Sequence, residues 1–135
     1  MTSAAKRKGT AYESAIVGFL RDNHNPGAHR NVQTGARDIG DIDGYYLHAL
    51  EAKAERTITL AEYVRQANRE RIHAQKPFAC VWVKARGKGV AASYVVRDAG
   101  TDVRLMNRLR AAESALERAD SAAYRVHVEG HGGGD

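Results

Sequence analysis

The chain has 135 residues, of which 43% are hydrophobic and 27% charged, and its 21 Lys and Arg against 16 Asp and Glu leave a net charge of +5. That length suits one folded domain with a real core, and the balance of apolar and charged residues excludes wholesale disorder. A pI near 9.6 favours a polyanionic partner, with nucleic acid ahead of an acidic membrane surface because no basic amphipathic helix stands out.

The basic start, residues 1–8, is not followed by an apolar stretch of signal type, and the longest strongly apolar run, Phe78–Val83, is far too short to span a bilayer. The single cysteine, Cys80, lies inside that run without an internal partner, which fits a buried thiol in a reducing compartment. An intracellular, cytoplasmic protein with no membrane attachment is expected.

In chain order, Thr10 and Glu13 have capping-box spacing, and Tyr12, Ile16, Phe19 and Leu20 form an apolar stripe of helical period. A first helix is therefore expected over residues 10–23, stopped by Asn23-His24-Asn25-Pro26-Gly27. A short strand follows over residues 29–33, then a flexible Thr34-Gly35 link. Thr59 and Glu62 repeat the capping-box spacing and open a second helix, with Leu60, Val64, Ala67 and Ile72 on its inner side and Pro77 closing it.

Residues 78–84 are apolar on both alternating faces, as a central, doubly covered strand requires. Arg86-Gly87-Lys88-Gly89 reads as a turn, and residues 92–97 return as a strand with Tyr94 and Val96 on one side. Asp102 can cap a third helix marked by Leu105, Leu109, Ala112 and Leu116. Tyr124, Val126 and Val128 alternate as a short edge strand would, and the Gly-rich end reads as a mobile tail. The expectation is an α/β (α+β) mixed sheet flanked by helices, in the order α-β-β-β-α-β-β-α, forming a single domain over residues 1–118 with a weakly ordered tail over 119–135.

The densest chemistry lies in residues 35–54, where Asp38, Asp41 and Asp43 fall within six residues and Glu51 and Lys53 follow in an apolar run. As a strand, that run turns Leu47, Ala49, Glu51 and Lys53 to one face and Tyr46, His48, Leu50 and Ala52 to the other. Glu51 and Lys53 are then neighbours about 7 Å apart, a separation at which a carboxylate-held hard cation and an ammonium can share one phosphate. One carboxylate holds such a cation poorly, and Asp41 is the second acid within reach.

Asp43-Gly44 is a two-residue hairpin signal that would leave Asp41 roughly 17 Å from Glu51. Asp41 and Glu51 face each other only if the reversal centres near Tyr46, with Asp43 and Gly44 in or beside the strand. The later reversal is the expectation here.

The succession Gly9-x-x-x-Glu13, Gly40-Asp41-Ile42, Leu50-Glu51-Ala52-Lys53, Gln66 and Val81-Trp82-Val83-Lys84 resembles the PD-(D/E)XK nuclease superfamily. Within it the chain is most similar to the small Holliday junction resolvase-like endonucleases of archaea and bacteriophages, over residues 8–97. The resemblance implies a restriction-endonuclease-like fold in which Asp41 and Glu51 bind Mg²⁺, or Mn²⁺ in its place, with the backbone carbonyl of Ala52 as a further ligand. It implies that Lys53 assists the attacking water, that Glu13 closes the site from the first helix and that Gln66 supports it from the second. The one departure is Gly40, where the pattern has proline, and Asp38 is the alternative to Asp41.

By resemblance the chain is a metal-dependent endonuclease hydrolysing phosphodiester bonds of branched DNA, with a two-fold homodimer on a four-way junction. A related nuclease acting on flapped, nicked or linear DNA would use the same residues, and a non-catalytic DNA-binding module is the rival of a different class. Lys8, Arg30, Arg37, Arg86 and Lys88 are the candidate phosphate contacts, of which Arg30 and Arg37 flank the acidic stretch. Glu13 fits a capping-box role as well as a site role. None of the six histidines has a metal-ligand spacing, so a zinc site is not expected.

Overall fold

The computed structural model of the chain describes residues 3–32 and 37–132. By internal packing the chain divides into two compact units, Met1–Asp98 and Ala99–Asp135. The first unit holds α1 (Ser3–Asp22), β1 (His29–Arg30), β2 (Ile42–Asp43), β3 (His48–Lys53), α2 (Leu60–Ala74), β4 (Phe78–Val83), a 3-10 turn (Val90–Ala92) and β5 (Tyr94–Val96). The second holds the long helix α3 (Ala99–Gly132).

The strands form one mixed sheet in the order β1-β2-β3-β4-β5. All pairs are antiparallel except β3 with β4, which run parallel from His48 opposite Phe78 to Lys53 opposite Val83. Parallel neighbours need a crossover, and α2 supplies it. Alternation along β3 and β4 divides the core. Leu50, Cys80 and Trp82 pack with Tyr12, Ile16, Val17 and Leu20 of α1, while Ala79, Val81 and Val83 pack with Tyr63 and Ala67 of α2. Covered on both faces, β4 is buried at all six residues, as its apolar run predicts. Cys80 is a free thiol in this core, and burial pushes its pKa up to about 12, which leaves it inert.

Several local expectations are corrected. Helix α1 starts at Ser3, so Thr10 lies well inside it and the Thr10–Glu13 capping box does not form. Ala4, Ala5, Lys6, Arg7 and Lys8 are strong helix formers, and their summed propensity carries the helix past the local start signal. On α2 the buried residues are Tyr63, Ala67 and Glu70, whereas Leu60 and Ile72 are exposed, so the helix is rotated from the expected face. Thr59 stands at its N-cap without a side-chain cap bond, and Gln75 closes it in the left-handed conformation at φ 56°.

Strand β1 has only two residues, and Gln33, Thr34 and Gly35 of the expected strand end and link lie outside the described residues. Helix α3 begins at Ala99 with Asp102 in its first turn and runs through Tyr124, Val126 and Val128, which therefore form no edge strand. Residues 119–132 of the expected tail are helical; 133–135 lie outside the described residues. No described helix is long and apolar enough to cross a membrane.

Candidate active site

The site is built by one reversal of the chain. Ile42 pairs with Leu50, and the Asp41 N–H donates to the Leu50 carbonyl at 3.0 Å, so the register sets Asp41 opposite Glu51. The turn centres on Tyr46, and Asp43 remains in β2. Gly44 does adopt a left-handed φ of 89°, but for a different purpose from a two-residue turn. A Cβ there would lie 2.5 Å from the Gly27 carbonyl oxygen and 2.6 Å from Ala28 backbone atoms, so glycine is what lets the two chain segments touch.

Gly40 has a comparable role one step earlier. Its φ of 96° is closed to proline, whose ring holds φ near about −65°, which explains physically why glycine precedes Asp41 in this chain. Its N–H donates to Asp38 Oδ1 at 2.9 Å, and Asn31 Nδ2 donates to its carbonyl at 3.1 Å. The Asp38–Asp41 segment is thereby held against β3.

Asp41 Oδ2 accepts the Ala52 N–H at 2.8 Å. Glu51 is buried, and its Oε1 lies 3.5 Å from Lys53 Nζ and accepts from Gln66 Nε2 at 3.3 Å, while its Oε2 is buried without a hydrogen-bond partner. Lys53 Nζ also stands 3.9 Å from Glu55 and 5.2 Å above the centre of the Tyr63 ring, whose hydroxyl donates to Glu55 at 2.6 Å. Glu13 is held by Arg30, with Nε and Nη2 both 2.8 Å from Oε2. Glu13, Asp41, Glu51, Ala52 and Lys53 line one cavity of about 540 Å³, so the helix start that removed the capping box leaves Glu13 facing the acids.

The structure adds a residue that sequence reasoning missed. Glu70 of α2 is 1% exposed, and its carboxylate oxygens have no N–H or hydroxyl donor, only the carboxyls of Glu51 and Asp38 beside them. One oxygen each from Asp38, Glu51 and Glu70 lie within 4.8 Å of one another. The sequence signal was available: Glu70 follows Gln66 by one turn and Tyr63 by two, on the inner face. An acid is ordinarily assigned to solvent, which hid it.

The clustered acids resist ionisation. Burial, then the neighbouring Glu51 charge, pushes Asp41 up to about 8; burial, then Glu70, pushes Glu51 up to about 9; burial above all pushes Glu70 up to about 7. The Ala52 N–H opposes the shift at Asp41 and Lys53 opposes that at Glu51 without cancelling either. Such a group of carboxyls is relieved by shared protons or by a cation.

The basic candidates are distributed around this cavity. Lys8 lines it together with Arg56, and both also line an adjoining hollow of about 370 Å³ that includes Lys84, Arg86 and the exposed Tyr94. Arg37 and Lys88 are exposed, and Arg30 is committed to Glu13. Comparisons with family models, curated proteins and solved structures return no match to this chain.

Proposed function

We propose that the chain is a divalent-cation-dependent deoxyribonuclease that hydrolyses phosphodiester bonds of branched DNA, four-way junctions first among them. The observation that carries the nuclease reading is the β2–β3 register, which sets Asp41 opposite Glu51 beside Lys53 in a cavity rimmed by cationic side chains. The preference for branched DNA comes from the sequence resemblance alone.

The residues present suit Mg²⁺ or Mn²⁺. The donors are hard oxygens, namely the Asp41 and Glu51 carboxylates and the Ala52 carbonyl, and the buried Glu51 Oε2 receives no N–H or hydroxyl donor. When bound, the cation supplies Lewis acidity, polarising a phosphoryl oxygen and lowering the pKa of water.

The side chains supply the rest. Gln66 fixes the Glu51 carboxylate from α2, and the Ala52 N–H fixes that of Asp41. Lys53 orients the attacking water and stabilises charge growing on the phosphate as the water oxygen bonds to phosphorus and the opposite P–O ester bond breaks. Glu13, held by Arg30, closes the α1 side, and Lys8, Arg56 and Arg86 fix the backbone without reading bases. A junction presents two symmetric scissile positions, so the proposal includes a two-fold homodimer.

The test is cleavage of junction, flap and linear DNA with Mg²⁺ or Mn²⁺. Asp41→Asn and Lys53→Ala are each expected to lower the single-turnover cleavage rate by at least about 10²-fold while junction affinity stays within about threefold. A wild-type chain that binds DNA but cuts none of these substrates would establish the non-catalytic binding module instead.

A further inference from the structure

We propose that Asp38, Glu51 and Glu70 form a second divalent-cation site, which shares Glu51 with the site described above. The inference rests on the reading of Glu51 as a cation ligand but is tested by counting ions, without any cleavage assay.

The acids alone would not carry it; Glu70 does. Its carboxylate is almost completely buried, and no N–H or hydroxyl donor among the described residues reaches either oxygen; its polar neighbours are the carboxyls of Glu51 and Asp38. Burying a carboxylate without a partner costs several kcal/mol, and the inner-face neighbours Tyr63 and Ala67 show that this position lies against a packed layer where an apolar side chain would serve a structural role better. The nearby ammonium of Lys53 is already shared between Glu51 and Glu55. The Glu70 carboxyl is thus met only by other acids, and a cation held between them removes the charge repulsion that a shared proton otherwise relieves.

The three acids are grouped closely enough to converge on one hard cation. Ligand oxygens on opposite sides of an ion are separated by twice the metal–oxygen distance, about 4.2 Å for Mg²⁺ and about 4.8 Å for Ca²⁺, and adjacent ligands lie closer. One oxygen from each of Asp38, Glu51 and Glu70 lies within 4.8 Å of the others, so the three are near enough for a small inward shift to bring them onto one ion. The three come from separate segments, since Asp38 is tied to Gly40, Glu51 lies on β3 and Glu70 on α2. An ion there would link the segment before β2 to the crossover helix. The acids would be joined by the ion instead of by shared protons.

The test is Mn²⁺ binding to the full chain, counted by calorimetry and by electron paramagnetic resonance. Wild type is expected to bind two ions, Glu70→Gln and Asp38→Asn one each, Asp41→Asn the one at the new site, and Glu51→Gln none. If Glu70→Gln does not fold, Asp38→Asn at the partly exposed end of the group carries the test. Mn²⁺ should still raise the melting temperature of Asp41→Asn. A single ion lost on Glu70→Gln but kept in Asp41→Asn would support this site and remove Asp41 from the cleavage reading. A single ion unaffected by Glu70→Gln and Asp38→Asn would overturn this site, leaving the cleavage reading intact if Asp41→Asn abolishes it. No bound ion would overturn both.

Discussion

Arg30 illustrates how one residue can be read in two ways that experiment separates. Its guanidinium holds Glu13 at 2.8 Å while remaining about half exposed, so it is placed either to position an acid at the cavity or to meet a phosphate. A charge-assisted hydrogen bond is worth about 1.5–3 kcal/mol when sheltered and less in solvent, so Arg30→Ala is expected to slow cleavage about tenfold with the Mn²⁺ count unchanged. Measured against salt, junction affinity of that variant should keep the wild-type slope; a slope smaller by about 0.9 would mark Arg30 as a phosphate contact. Single residues of the site differ in how readable they were. Asp41, Glu51 and Lys53 stood out because charge interrupts an apolar strand, whereas Glu70 sits on a helix where acids are ordinary, and only its burial sets it apart.

Among the elements, the β2–β3 reversal depends most on glycine. Gly44→Ala must fit a Cβ 2.5–2.6 Å from Gly27 and Ala28 at a φ of 89°, so it should lower stability by about 2 kcal/mol or more in urea unfolding. Gly87→Ala, at φ 70° with open space around it, should cost only about 1 kcal/mol. The number and order of strands were legible because β3 and β4 carry unbroken apolar or alternating runs, and the later reversal was legible because it alone aligns Asp41 with Glu51. Helix limits were less so. Thr10-x-x-Glu13 is a genuine local start signal outweighed by helix formers upstream, and the three-residue alternation at Tyr124, Val126 and Val128 yields to a helical run without proline. The facing of α2 differs from the expected one because Leu60 and Ile72 are exposed while Glu70 is buried beside Tyr63 and Ala67, and apolar spacing alone does not reveal an inward acid.

At the scale of the whole molecule, the acids make stability depend on pH and on cations. Asp41, Glu51 and Glu70 have pKa values raised from 3.8, 4.5 and 4.5 to about 8, 9 and 7, so the folded chain binds more protons than the unfolded one across that span. Their contribution is fully present below the unfolded values and is lost as pH rises through the folded ones. The cation-free chain should therefore lose melting temperature from about pH 5 upward, with the decline levelling off by about pH 9; above pH 7 His48, held by burial below its ordinary 6.5, is already neutral and adds nothing to it. Saturating Mg²⁺ should flatten that decline, and calorimetric scans across the range check it. The two layers of the sheet also constrain each other. Ile42 is 1% exposed among Tyr12, Ile16 and Leu50, next to Asp41 and Asp43. Sliding β2 by one residue would drive an aspartate into that apolar layer at a cost of several kcal/mol. The greasy side of the sheet thus proofreads the acidic side: the same Ile42 layer that penalises a one-residue slip keeps Asp41 opposite Glu51.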